Sequence, residues 1–90
     1  MRTVTKKIDP EWFEMIRNGK KKFELRLADF DFDDGDVLRL EEWAGTGDGR
    51  KPTGRVIEKM ATYVRKPNLK EWIEQQPELL EKSFYIIQFD

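Results

Sequence analysis

The clearest pattern in the chain is a strict alternation over Lys22 to Leu27. Phe23, Leu25 and Leu27 share one side, and Lys22, Glu24 and Arg26 share the other. A period of two is the signature of a half-buried strand, with Glu24 and Arg26 on its polar face. Val37 to Trp43 repeats the pattern, with Leu38, Leu40 and Glu42 opposing Val37, Arg39, Glu41 and Trp43. Residues 2–8, 54–65 and 83–89 also read as strands, rich in β-branched and aromatic residues. The 54–65 stretch is long enough to predict a bend or bulge. Between the first two strands the period changes. Trp12, Phe13 and Ile16 form one apolar stripe, which predicts a helix over 10–18. Asp9 suits its cap, Pro10 its first position, and Gly19 its left-handed end. Leu69, Trp72 and Ile73 predict a second short helix that stops before Pro77.

These elements fit a single α+β domain over 1–90: a small, strongly curved sheet or barrel of about five or six strands with one or two helices. At 90 residues there is no room for a second domain. Hydrophobic residues make up 38% and charged residues 39%, yet the net charge is only −1, which argues against disorder. No apolar run reaches the roughly 18 residues of a membrane span, and the N-terminus lacks a signal-peptide core. The absence of Cys excludes disulfides and suits a cytoplasmic protein. The absence of both His and Cys excludes zinc and the His-based triads, leaving only a hard oxygen-bound metal open, and no Walker loop or dinucleotide fingerprint is present, so no metal site and no cofactor are assigned. Charge is segregated nonetheless. Residues 1–27 carry a net +4, 28–48 −7, 49–70 +6 and 71–90 −4. Two basic blocks that meet in the fold would attract phosphate, and blocks of opposite sign can also simply pair on the surface.

The segment with most chemistry is Gly19-Lys20-Lys21-Lys22-Phe23-Glu24-Leu25-Arg26. Lys21 sits where the helix hands over to the strand. Glu24 and Arg26 lie on one face, about 7 Å apart. Arg17 is in the last helical turn. Together they make a candidate polar cleft in which the cations hold a phosphate or carbonyl oxygen and Glu24 accepts from an amino group or takes a proton. The same spacing also describes an ordinary same-face ion pair beside solvated lysines.

Gly19-x-Lys21-x-x-Glu24-x-Arg26 resembles the G-x-K-x-x-E-x-R signature of ASCH domains (activating signal cointegrator homology), in the PUA-like superfamily. The resemblance extends to Asp9-Pro10-Glu11-Trp12-Phe13, Gly35-Asp36-Val37-Leu38, Thr53-Gly54-Arg55 and Tyr85-Ile86-Ile87-Gln88-Phe89, and is weakest over 66–82. It implies a PUA-like pseudo-barrel that binds RNA or a modified nucleoside. Small ASCH proteins that hydrolyse acetylcytidine are similar too, which implies an alternative: a hydrolase acting on RNA or a modified nucleoside with Lys21 and Glu24 in its active site. Those enzymes carry Thr where this chain has Glu24. Their distant glutamate finds no unique match among Glu71, Glu74 and Glu78.

Three further signals bear on ligands. Trp43 ends a strand beside the Gly-rich tip, next to Arg50 and Lys51, and is the aromatic best placed to stack on a base. Asp29 to Gly35, followed by Glu41, has a calcium-loop flavour, but its glycine and glutamate each fall one position late. A solvated turn with Phe30 and Phe32 turned inward is the simpler expectation. A protein that binds partners through its charge blocks alone would depend on Arg50, Lys51 and Arg55 instead.

Overall fold

The computed structural model describes residues 1–67 and 83–90. Its elements in chain order are β1 (Thr3–Ile8), α1 (Pro10–Arg17), β2 (Phe23–Leu27), β3 (Val37–Ala44), β4 (Lys51–Arg65) and β5 (Phe84–Phe89), with a short 3₁₀ turn at Gly47–Gly49. The strands and the first helix fall where the hydrophobic pattern puts them. The second predicted helix, with Glu71, Glu74 and Glu78, lies outside the described residues.

The five strands form one mixed sheet in the order β1-β3-β4-β5-β2. β1 runs parallel to β3, and the other neighbours are antiparallel. The expected barrel does not close, because β1 and β2 stand at opposite ends of this order. The Arg26 side chain links the two edges, donating from Nη2 to the Lys7 carbonyl at 2.7 Å.

β4 makes the sheet curl. Its first part pairs with β3 up to Met60, and its last part, from Ala61, pairs with β5. The register shifts between Ala61 and Tyr63, at the joint. Bulges of this kind bend a strand and increase its twist. The bend brings the inner faces of both halves around α1. Leu38 and Leu40 of β3, Ile87 and Phe89 of β5, and Phe13 and Ile16 of α1 form the centre of the core. The tight β3–β4 connection depends on Gly45, whose φ is +99° and whose missing Cβ would stand 2.7 Å from the Gly49 carbonyl oxygen.

Within the acidic 29–36 loop, carboxylates accept backbone hydrogen bonds. Phe32 is buried and Phe30 packs against the core, as expected. Buried Asp36 accepts hydrogen bonds from the backbone N–H groups of Arg2 and Asp33. The first of these, with help from the second and from the Arg2 charge, lowers its carboxyl from the ordinary value. No cluster of potential metal ligands occurs among the described residues. No helix among them is long and apolar enough to cross a membrane.

β2 departs from its pattern. Half-burial by alternation puts the apolar side inward, but Phe23 and Leu25 are 51% and 55% exposed while Glu24 is only 4% exposed. The charged side faces in. Glu24 lies opposite the fully buried Ile87, and Arg26 opposite Tyr85.

Candidate functional site

The inward charges of β2 open onto a cleft of about 410 Å³ between the two sheet edges. The end of β1 forms one wall with Lys7 and Ile8, followed by Asp9 at the helix start. Trp12 of α1 and Lys21, just after it, form the second. Phe23 to Arg26 of β2 form the third, and Arg50 reaches in from the β3–β4 connection.

Glu24 is the hub. Lys21 Nζ donates to its Oε1 at 2.7 Å, and Arg26 Nε donates to its Oε2 at 2.6 Å. The Glu24 side chain is the most buried of the three, at 6% exposure against 16% for Lys21 and 24% for Arg26. One buried carboxylate therefore positions two cations that reach the cleft. Removing one partner of a buried charge cluster is expensive, because it leaves the others unpaired. The local sequence sets this geometry. Gly19, at φ +81°, turns the chain out of α1. The Lys21 N–H then donates to the Met15 carbonyl, fixing the lysine against the helix end. Glu24 and Arg26 project together because they are two apart on a strand.

Aromatic rings line the same cleft. Lys21 Nζ stands 5.2 Å from the Trp12 ring centroid and 5.3 Å from that of Phe23. Both rings are substantially exposed, so each keeps a face open to a planar ligand. Trp12, which the sequence places on the apolar stripe of the helix, is a wall of the cleft. Successive helical residues point about 100° apart. Phe13 and Ile16 take the core direction, which turns Trp12 to the rim. Asp9 departs from its expected part too: its side chain makes no cap hydrogen bond and accepts from Arg50 Nη2 at 2.7 Å instead.

The other two candidates stand apart from Lys21, Glu24 and Arg26. Arg17 does not line the cleft; it pairs with Glu14 one turn back on α1. Arg55 joins Glu14 at 2.9 Å, stacks over Phe13 and approaches buried Glu42 at 3.7 Å. The hydrogen bonds from Arg17 and then Arg55 lower the Glu14 carboxyl to about 2. Trp43 does not line the cleft either. It is half-buried, and the Lys7 ammonium lies 3.9 Å from its ring centroid. Its indole N–H has no partner among the described residues.

Sequence reasoning missed Lys7, Asp9 and Trp12 as cleft residues. The Trp12–Phe13 pair did carry a signal, since two adjacent aromatics cannot both face the middle of one narrow stripe. Lys7 carried none. Its place depends on the β1–β3 register and on the bend in β4, which no local pattern encodes.

Residues 4–75 match the family described as "Domain of unknown function (DUF3850)", and the chain belongs to that family. It is also similar to a protein of Escherichia phage P2, the "Uncharacterized 12.9 kDa protein in GpA 3'region", with 32% identity over 69 residues. Those residues cover 76% of this chain and 57% of the phage protein.

Proposed function

We propose that this chain is a PUA-like module of ASCH type that binds RNA or a modified nucleoside in the cleft between β1, α1 and β2. The observation that carries the reading is the Lys21–Glu24–Arg26 cluster, buried at its centre and open at its cationic ends, beside the exposed rings of Trp12 and Phe23. Rings supply stacking that tolerates any base, at about 1–3 kcal/mol per base in single-strand binders. Arg and Lys supply phosphate or carbonyl recognition. The motif shared with ASCH domains falls on the three charged residues that the fold brings together.

The alternative is a hydrolase that uses Lys21 and Glu24 for proton transfer. Both Glu24 oxygens already accept from cations, so the carboxylate is occupied as a clamp. That arrangement favours binding. Calorimetric titration with short single-stranded RNA and with acetylated and plain nucleosides, followed by mass spectrometry of the same mixtures, tests both readings. Salt-sensitive binding with unchanged ligand is expected. Turnover of a nucleoside or RNA would establish the hydrolase, and absence of any binding would remove the module.

A further inference from the structure

The charge of the cleft points to a more specific ligand. Its lining holds four cations, Lys7, Lys21, Arg26 and Arg50, against two carboxylates, Asp9 and Glu24. Asp9 offsets Arg50, and Glu24 is shared by Lys21 and Arg26. Lys7 pairs with no carboxylate among the described residues; its ammonium rests on the Trp43 ring. Two positive charges are left without a counter-charge. Arg26 donates to the Lys7 backbone carbonyl at 2.7 Å, which brings its guanidinium to the end of β1, from which the Lys7 ammonium extends to the Trp43 ring.

Resting on the reading above, we propose that the cleft takes a phosphate monoester, the terminal phosphate of a mononucleotide or of an RNA end, between Lys7 and Arg26. A monoester carries a charge of about −1.5 to −2 at neutral pH. It therefore matches the surplus, whereas an internal diester carries a single charge and a nucleoside none. Arg26, whose Nε is held by Glu24 and whose Nη2 is held by the Lys7 carbonyl, contributes its remaining guanidinium N–H groups, and Lys7 a mobile point charge. Exposed Trp12 and Phe23 are left for the attached base.

The test is a calorimetric series on the full chain: adenosine, adenosine 5′-monophosphate and its methyl ester, with the cytidine, guanosine and uridine sets alongside. A 5′-phosphorylated and a 5′-hydroxyl oligoribonucleotide of one sequence complete it. The monophosphate should bind at least tenfold tighter than both the nucleoside and the methyl ester, for at least one base. Lys7→Gln should remove most of that advantage. A phosphorylated oligonucleotide that binds more tightly than the mononucleotide would place the monoester on an RNA end, and the reverse order on a free nucleotide. Equal affinity for nucleoside and monophosphate, or for monophosphate and methyl ester, overturns the proposal but spares the cleft. An advantage that survives Lys7→Gln overturns the placement. If nothing binds, the underlying reading falls as well. If Lys7→Gln does not fold, the wild-type ligand series decides alone.

Discussion

Strands β3 and β2 carry the same period-two alternation and bury opposite faces. In β3, Leu38 and Leu40 turn into the core with no exposure, and the alternate set of Val37, Arg39, Glu41 and Trp43 stays partly solvated. In β2, Glu24 and Arg26 turn inward while Phe23, Leu25 and Leu27 stay exposed. The difference follows from position. β3 lies inside the sheet, paired on both sides and covered by α1, where apolar burial stabilises the fold at about 25 cal/mol per Å². β2 is an edge strand that faces the gap where the sheet fails to close. There the inward side chains meet the cleft, and a mutually satisfied charge cluster stands in place of core. A strand that breaks the inside-apolar rule is where a functional or strained site is expected.

Substitutions along the two strands separate these roles. The largest effect belongs to β3: Leu38→Ala should lower stability by about 2–5 kcal/mol in urea unfolding, since its side chain is fully buried. Glu24→Ala comes next, at about 1–3 kcal/mol, because Lys21 and Arg26 lose their shared partner while solvent partly reaches them. It should also disorder the cleft, whereas Glu24→Gln keeps the shape and should fold but discriminate less well between ligands. Leu25→Ser on the exposed side of β2 should change stability by less than about 1 kcal/mol. A loss as large as that of Leu38→Ala would mean that β2 buries its apolar face after all.

The smallest effect concerns the charges outside the cleft. Glu14 titrates near 2 in the folded chain and higher when unfolded, so its interactions with Arg17 and Arg55 add stability above the unfolded value near 4.5. That contribution should fade as pH falls from about 4.5 towards 2. Glu14→Gln should therefore flatten the acid limb of a melting-temperature profile and leave ligand binding unchanged. A change in binding would bring Arg17 and its partners back into the site.

Much of this architecture is legible in the sequence. The alternation of β2 and β3, the stripe of α1 and the turn at Gly19 place the elements, and the motif selects Lys21, Glu24 and Arg26. Which face of β2 turns inward is not legible. Alternation fixes that two faces exist, and only sheet order and the bend of β4 decide which one meets the core. Arg17 shows the same limit. Its i, i+3 spacing to Glu14 is a local signal for pairing on the helix, and that pairing holds it away from the cleft.

Side-chain NMR during titration with a short single-stranded RNA or a nucleotide shows whether the inward charged face of β2 is the binding face. The Arg26 Nε–H and Trp12 indole N–H resonances should shift, with the methyl groups of Leu27 and Ile86 unmoved. Shifts confined to those methyl groups, with Arg26 and Trp12 silent, would contradict this assignment and place the ligand on the outer face of the sheet.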